Sequence, residues 1–206
     1  MNNNIIKNNM KTIIIVSLII FLGLLITVVT YTFGYYFQDN LKFEREYEKL
    51  NKKDTLDGKK YPYVDISSDN VVKYSDYKEI IDKINNKDDF VVYLGSASCL
   101  YCRSVVQVLF DASEFTNIDK IYYVDVEKET DYFAGLVSLL DNKFIKDGKF
   151  NAPLVLFFVD GNVVSYKAGT FTSHKDPYVK LNDTQLTTLT DLYLSGINDV
   201  LAGMQN

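Results

Sequence analysis

The chain contains two cysteines, Cys99 and Cys102, and they lie three positions apart. They follow a continuous apolar run at 90–94 and open a stretch whose apolar residues recur with a helical period. The nucleophile in thiol–disulfide exchange is a thiolate, and two cysteines at this spacing close into a disulfide with little movement. A Cys-x-x-Cys pair at a strand-to-helix junction therefore predicts thiol–disulfide oxidoreductase chemistry.

The two cysteines have different expected roles because they lie at different points of this helix. A free thiol has a pKa of about 8.5, and the unpaired N–H groups and dipole of a helix N-terminus lower it. Cys99 lies just ahead of the helix, so we expect it to be exposed and to attack the substrate. Cys102 lies one turn further on, so we expect it to resolve the mixed disulfide on Cys99.

A Cys-x-x-Cys pair has two other interpretations. A structural zinc ion needs four ligands, and the only other candidates here are His174 and carboxylates, so no metal site is expected. A purely structural disulfide is the second alternative, but cysteines this close in sequence do not staple a fold as a disulfide framework does.

The elements that must position the pair follow from hydrophobic patterning. The run at 90–94 is bounded by Asp88, Asp89 and Gly95, which is typical of a central strand buried on both faces. The whole order is β-α-β-α-β-α-β-β-α, which predicts an α/β fold with a parallel centre and an antiparallel hairpin at Asp160-Gly161. The predicted strands are 70–74, 90–94, 121–126, 152–159 and 162–169; the later helices are 131–140 and one capped by Asn182 or Asp183. Residues 142–151 are expected to form a polar loop.

The N-terminal part of the chain reads as a membrane anchor. After a short tail at 1–11, residues 12–37 carry no charge, and about 20 apolar residues suffice to cross a bilayer. The run is longer than a signal-peptide core and has no clear cleavage site, which disfavours the signal-peptide alternative. An aromatic belt is expected at its far end, at Tyr31, Tyr35, Tyr36 and Phe37. Residues 38–69 then read as a charged linker with a short solvated helix, and 70–206 as the catalytic domain.

Charge bears on partners and orientation. The net charge is −5 and no basic stripe is present, which argues against a nucleic-acid partner. A Lys/Arg count around the span favours a cytoplasmic domain, because Lys7 and Lys11 precede the span and five basic residues follow it within 42–53. Long domains translocate largely regardless of such charges, so we expect a single-pass cell-membrane protein with an extracytoplasmic domain.

With these features the sequence resembles thioredoxin-fold proteins over about residues 70–203. The resemblance rests on the strand at 90–94, the motif Cys99-Leu100-Tyr101-Cys102, Pro153 at the start of a strand, the following hairpin and the C-terminal helix. Residues 95–103 are most similar to small membrane-anchored bacterial thioredoxin-like proteins of the bacteriocin-transport accessory type. The resemblance implies a central mixed sheet flanked by helices, and it implies no cofactor. It also implies that Pro153 is a cis-proline facing the cysteines, and that the backbone at Ala152 and Pro153 binds an extended substrate segment.

The sequence departs from the family pattern at several positions. Ser98 replaces the usual tryptophan, and Leu100 and Tyr101 replace Gly-Pro between the cysteines. Tyr93 replaces the buried acid six residues before the first cysteine, which puts the family's proton transfer from Cys102 in doubt. No histidine lies between the cysteines, so we expect neither extreme of reduction potential.

Four further polar residues near the motif receive weaker predictions. Arg103 is interpreted as a solvated first-turn residue rather than as a partner of the Cys99 thiolate. His174 is expected to be solvated in its loop rather than to transfer protons. Asp125 and Glu127, near the end of a strand, are expected to be solvated rather than catalytic.

The predicted function is that of a membrane-anchored disulfide oxidoreductase. Its expected partners are cysteine-containing exported proteins or peptides, a redox partner protein and the lipid bilayer. One alternative is a non-catalytic accessory or chaperone factor for secretion, tethered to the membrane. The other is a disulfide reductase whose domain faces the cytoplasm.

Overall fold

The structure is a computed structural model that describes residues 2–140 and 144–205, with side chains from residue 13 onward except at 33 and 35–38. Its contacts divide the chain into two compact units, Met1–Gln38 and Asp39–Asn206. The predicted aromatic belt at Tyr35, Tyr36 and Phe37 lies outside the described side chains, as do Lys7 and Lys11.

The N-terminal unit is helical and apolar. Helix α1 is Asn2–Glu48, and its segment Ile13–Thr32 has a mean hydropathy of 3.1 with none of it buried. Tyr31 is exposed at the end of this segment. By length and composition the segment can cross a bilayer, which agrees with the predicted single apolar N-terminal helix.

The described residues of the second unit form seven strands and four further helices. Their order alternates strands and helices, apart from a small hairpin inserted before the last two long strands. The strands are β1 (Val72–Tyr74), β2 (Phe90–Gly95), β3 (Ile121–Asp125), β4 (Ile145–Lys146), β5 (Lys149–Phe150), β6 (Leu154–Val159) and β7 (Asn162–Ala168). The helices are α2 (Tyr77–Asn85), α3 (Leu100–Glu114), α4 (Phe133–Leu139) and α5 (Asp183–Gly203).

The main sheet has the strand order β1-β3-β2-β6-β7. Strands β1, β3 and β2 are parallel, whereas β6 runs antiparallel to β2 and β7 antiparallel to β6. The β6–β7 turn is Asp160-Gly161, and both residues have positive φ, as a two-residue hairpin turn of the I′ type requires. The predicted thioredoxin-like α/β architecture is therefore confirmed, with β2 at the centre of the sheet.

The hairpin β4–β5 was not predicted. It lies inside the stretch 142–151 that was expected to be a polar loop, of which 142 and 143 are outside the described residues. Ile145 pairs with Phe150 across an Asp147-Gly148 turn whose two residues again have positive φ. The signal was present as an Asp-Gly dipeptide flanked by Lys146 and Lys149, with one apolar residue beyond each lysine, but each strand is only two residues long.

The sheet separates two apolar clusters, and β2 contributes to both. All six residues of β2 are buried. Val91 and Tyr93 belong to the cluster that contains residues of α3 and α5, among them Cys102, Leu109, Leu189 and Ile197. Phe90, Val92 and Leu94 belong to the opposite cluster, with Tyr77, Ile80 and Leu136 from α2 and α4. This two-sided burial explains why the sequence of β2 is continuously apolar.

The segment expected to be a solvated linker differs from that expectation. Phe43 and Tyr47, in the last turns of α1, have no exposed surface, and Val64 and Ile66 are buried as well. The Phe43 ring centroid lies 4.8 Å from that of Tyr123 and 5.1 Å from that of Phe110. Positions 43 and 47 share one face of a helix, and the charged residues between them mask this narrow apolar stripe in the sequence. The compact unit accordingly begins at Asp39 rather than at residue 70.

Candidate active site

The two cysteines lie where β2 ends and α3 begins, as the sequence predicted. Cys99 is the N-cap residue of α3, and its Sγ accepts a hydrogen bond from the Cys102 backbone N–H at 3.2 Å. Both are free thiols. Cys99 is partly exposed, whereas Cys102 is fully buried. An N-cap side chain accepts from the first turn of its helix, so the position of Cys99 follows from local helix geometry.

The surroundings set the two thiols apart electrostatically. A hydrogen bond from the Cys102 thiol, with backbone N–H groups of the first turn, lowers the pKa of Cys99 despite its partial burial. The negative charge of Glu127 opposes this shift. Burial raises the pKa of Cys102 well above its ordinary value. Cys99 therefore holds a thiolate more readily, and Cys102 holds the proton.

The Ala152–Pro153 peptide bond is cis. Pro153 is buried and its carbonyl accepts a hydrogen bond from Gly169 N at 2.6 Å, while Ala152 is half-buried. Ala152 packs against the same apolar cluster as Cys99, and both residues line one groove. Residues 53 positions apart in the sequence are thus brought to a common surface.

This groove, the Cys99 groove, has a volume of about 700 Å³. Its apolar part includes Tyr77, Phe133 and Phe150, whose ring centroids lie 5.0–5.8 Å apart. Its polar lining includes the side chains of Glu127, Glu129, Lys146 and Lys149. The unpredicted β4–β5 hairpin therefore forms one side of the surface next to Cys99.

Asp125 and Glu127 have different environments. Asp125 is buried and pairs with Lys128 at 2.8 Å, so the expectation that it is solvated was wrong. It also accepts a hydrogen bond from Glu127 N, which fixes the chain as it leaves β3. Glu127 is exposed, as expected, and accepts a hydrogen bond from Ser98 Oγ at 2.6 Å.

Arg103 has neither of the two roles considered for it. It is only 2% exposed, so it is not a solvated residue. Its hydrogen bonds go to oxygen atoms and not to the Cys99 sulfur. Four oxygen atoms accept from its guanidinium: Pro62 O at 2.7 Å, Tyr47 O at 2.9 Å, Ala97 O at 3.1 Å and Asn51 Oδ1 at 2.6 Å. A planar group with five N–H donors suits such a set of acceptors. Arg103 therefore ties the end of α1 and the chain after it to the loop that precedes Cys99.

His174 is buried, so the expectation that it is solvated was also wrong. It is 6% exposed, and its Nε2 lies 2.7 Å from Val179 O. Its ring meets the Tyr101 ring edge-on at 5.8 Å, and Tyr101 Oη donates to Lys175 O at 2.7 Å. The side chain of Tyr101, between the two cysteines, is thereby held against the loop at 170–181.

Tyr93 lies six residues before Cys99, and the structure gives it a partner that sequence analysis missed. Its hydroxyl oxygen lies 2.9 Å from that of Tyr47, and both side chains are fully buried. The signal for Tyr47 was its spacing of four from Phe43, which marks a buried helix face. Nothing local in the sequence links it to Tyr93.

Within residues 2–140 and 144–205, no group of three or more His, Cys, Asp or Glu side chains could hold a metal ion.

Comparison with known proteins gives structural similarity alone. No family model matches the sequence, and no curated protein matches it. Thioredoxin O1 from Arabidopsis thaliana in its oxidised state is 20% identical, with a TM-score of 0.39, and the match covers 59% of this chain and 97% of that one. Thioredoxin O2 from the same plant is 17% identical, with a TM-score of 0.38 and coverages of 59% and 93%. The strand order and helix placement described above, rather than these similarities, define the fold.

Proposed function

We propose that this protein is a membrane-anchored thiol–disulfide oxidoreductase that acts on cysteine-containing exported proteins or peptides. One observation carries the proposal: Cys99 caps α3 with a lowered pKa beside an open groove, while Cys102 lies buried behind it with a raised pKa. An accessible thiolate and a protonated resolving thiol are the two groups that disulfide exchange needs.

The exchange has two steps. The Cys99 thiolate attacks one sulfur of a substrate disulfide; that S–S bond breaks, a mixed disulfide forms, and the other substrate sulfur leaves as a thiolate. Cys102 then attacks the Cys99 sulfur, releasing the second substrate sulfur and closing the Cys99–Cys102 disulfide. Two electrons have passed from the protein to the substrate. The reverse sequence oxidises a substrate dithiol, and in either direction a redox partner protein restores the starting state.

Ala152 and Pro153 are proposed to bind the substrate backbone. An extended segment that places its cysteine at Cys99 passes Ala152, because both residues line the Cys99 groove. The N–H of Ala152 already donates to Phe150 O at 2.9 Å, so we propose pairing through the carbonyl of Ala152. Main-chain pairing of this kind is tolerant of substrate sequence.

The proposed site of action is the outer side of the cell membrane. The apolar helix segment Ile13–Thr32 supports anchoring. A cysteine-free tag placed after Asn206 tests the orientation in intact cells. Labelling by an impermeant reagent supports the extracytoplasmic domain, whereas labelling only after lysis supports a reductase that faces the cytoplasm.

The test of the chemistry uses the full chain in detergent micelles and a disulfide-containing peptide. We expect Cys99→Ser to abolish exchange. We expect Cys102→Ser to retain the first step and to accumulate a mixed disulfide between Cys99 and the peptide, visible by mass spectrometry. Exchange that persists in Cys99→Ser contradicts the proposal.

The second candidate function is a non-catalytic accessory factor for secretion. The aromatic side of the Cys99 groove favours it, because Tyr77, Phe133 and Phe150 could bind a polypeptide without any redox step. The Cys99→Ser variant separates the two candidates in cells. If Cys99→Ser loses exchange and secretion is also impaired, the enzyme is supported. If Cys99→Ser loses exchange but secretion is normal, the accessory factor is supported.

The direction of electron flow follows from the reduction potential. With no acid at Tyr93 and no histidine between the cysteines, we expect a value between those of thioredoxin, about −270 mV, and of the strongest oxidants, about −120 mV. Equilibration of the full chain with glutathione buffers measures it.

A further inference from the structure

A pair of tyrosine hydroxyls lies buried on the face of the sheet that carries Cys102. Tyr93 projects from β2 and Tyr47 from the last turns of α1, and their hydroxyl oxygens are 2.9 Å apart. Neither side chain has exposed surface, and both share an apolar cluster with Cys102, which is also fully buried. The bond between the two hydroxyls uses one of their two protons, so the second proton can be donated to another buried acceptor.

The backbone of β2 makes room for the Tyr93 phenol. Tyr93 and Gly95 are two positions apart on one strand and therefore face the same side of the sheet. A Cβ on Gly95 would overlap the Tyr93 hydroxyl and lie 2.5 Å from Cζ. The phenol thus lies directly over Gly95, along β2 toward the start of α3, where the cysteines are. Only glycine at position 95 leaves room for the Tyr93 ring in this position.

Tyr47 is held in place by the residue that follows Cys102. Nη1 of Arg103 donates to Tyr47 O at 2.9 Å and to Ala97 O at 3.1 Å. One guanidinium nitrogen therefore binds both the end of α1 and the loop before Cys99. This bond fixes the distance between the Tyr47 backbone and the cysteine motif.

We propose that Tyr93 is a catalytic residue whose hydroxyl donates a hydrogen bond to the Cys102 sulfur as that sulfur attacks the mixed disulfide, and that Tyr47 is a positioning residue that orients the Tyr93 hydroxyl. The inference rests on the proposed disulfide exchange. In this inference, two neutral hydroxyls stabilise the negative charge that develops on the sulfur of Cys102.

The step balances without any additional reagent. Cys102 loses its proton and forms a bond to the Cys99 sulfur, and the bond between Cys99 and the substrate sulfur breaks. The departing substrate thiolate ends with the proton that Cys102 has lost, so the tyrosines donate hydrogen bonds and are not consumed. Stabilising a thiolate in a buried site by preorganised donors lowers the barrier to its attack.

The titration behaviour of the groups around Cys102 agrees with donor tyrosines. Burial raises the pKa of Cys102, whereas the Tyr93 hydroxyl, which lies in the same apolar cluster, lowers that pKa. Burial also raises the pKa of Tyr47 and Tyr93 well above the ordinary value, so both keep their protons at neutral pH. Further titratable groups that interact electrostatically with Cys102 are Cys99 at the start of α3, Tyr123 from β3 and Tyr193 from α5.

The first test needs no substrate. In the full chain carrying Cys99→Ser in detergent micelles, a ¹³C label on Cβ of Cys102 reports the pKa of its thiol by NMR. We expect Tyr93→Phe to raise this pKa, and Tyr47→Phe to raise it less. Phenylalanine keeps the ring, so the fold is preserved. An unchanged Cys102 pKa in Tyr93→Phe overturns the inference.

Tyr74→Phe is the matched control. Tyr74 also bonds from the sheet to α1, since its hydroxyl donates to Glu46 at 2.7 Å, but none of the interactions that shift its pKa involves a cysteine. This variant loses a comparable bond and should leave the Cys102 pKa unchanged. An equal shift in Tyr74→Phe would mean that loosening α1 alone causes the effect, and the inference would fail.

The second test separates the two steps of exchange by rapid quenching and mass spectrometry. A hydrogen bond to a charged group contributes about 1.5–3 kcal/mol, so we expect Tyr93→Phe to slow resolution of the mixed disulfide about tenfold or more. Formation of the mixed disulfide by Cys99 should keep its rate. Equal slowing of both steps contradicts the inference. If the wild type forms no mixed disulfide, the proposed function fails, while the NMR titration still decides the contact between Tyr93 and Cys102.

Discussion

At the scale of single residues, the site depends on an asymmetry between two chemically identical side chains. Cys99 is partly exposed at the helix N-cap and Cys102 is fully buried one turn later. The same hydrogen bond that lowers the pKa of Cys99 raises that of Cys102, because it favours the thiolate on the first and the thiol on the second. In the proposed exchange, the N-cap position of Cys99 and the burial of Cys102 together divide attack and resolution between the two sulfurs.

The pH dependence of Cys99 reactivity follows from its neighbours. Because its pKa is lowered, we expect alkylation of Cys99 by iodoacetamide to reach half its maximal rate at a lower pH than a free cysteine does. The charge of Glu127 works against the thiolate, so Glu127→Gln should move this midpoint further down. Glu129→Gln is the matched control, since it also removes a carboxylate from the Cys99 groove. A midpoint that moves upward in Glu127→Gln contradicts the assignment.

Arg103 acts through its geometry as much as through its charge. A lysine keeps the charge but cannot reach four acceptors in one plane, so buried carbonyls lose their donors. We expect Arg103→Lys to lower the free energy of unfolding by about 2–4 kcal/mol. Urea unfolding of the full chain in micelles measures it. Arg45→Lys, at an exposed position of α1, should change it by less than about 0.5 kcal/mol. Similar changes in the free energy of unfolding for Arg103→Lys and Arg45→Lys would contradict the structural role of Arg103.

At the scale of elements, the last turns of α1 are part of the core of the second unit. Phe43 meets the rings of Tyr47, Phe110 and Tyr123 at centroid distances of 4.7–5.1 Å. Tyr47 carries the hydroxyl that bonds to Tyr93. The same short stretch of helix thus contributes both apolar packing and a polar contact beneath the cysteines.

Truncation of the Phe43 side chain measures this contribution. Removing a fully buried phenylalanine ring leaves a cavity that the neighbouring rings fill only in part. We therefore expect Phe43→Ala to cost about 3–5 kcal/mol of stability. Leu56→Ala, at a fully exposed position, should stay within about 0.5 kcal/mol of the wild type. Thermal and urea unfolding check both values, and a near-neutral Phe43→Ala would contradict the packing described.

At the scale of the whole molecule, the boundary of the folded unit lies well before the first strand. The compact unit is Asp39–Asn206, whereas hydrophobic patterning favoured a domain beginning at 70. A chain that starts at 70 loses Phe43, Tyr47, Val64 and Ile66, and it loses three of the four acceptors of Arg103.

Truncated chains decide the boundary. We expect residues 39–206 to fold on their own and to unfold in one cooperative transition, because the unit retains its whole core. Residues 70–206 should be soluble only poorly and should lack that transition. Circular dichroism with thermal unfolding distinguishes the two. Equal stability of both chains would show that the segment 39–69 is dispensable.

The sequence by itself predicted the features that depend on local residue types and on periodic patterns. The continuous apolar run marked β2 as central, the helical period and the N-cap position placed Cys99 and Cys102, and Asp160-Gly161 marked the last hairpin. These features depend on residues a few positions apart, and the period of side-chain burial along a strand or helix is fixed by backbone geometry.

Only the tertiary structure decided which distant groups meet. Tyr47 and Tyr93 are 46 positions apart and Arg103 binds acceptors 41–56 positions away, so no local period relates them. Solvation was misjudged at Arg103 because its acceptors Pro62, Tyr47 and Asn51 are distant in sequence. The polar partners of Asp125 and His174, Lys128 and Val179, are near in sequence, but the burial of both side chains depends on the packing of whole elements around them. The spacing of Cys99 and Cys102 predicted the proposed chemistry, and the fold determined which hydroxyl groups lie in the same cluster as Cys102.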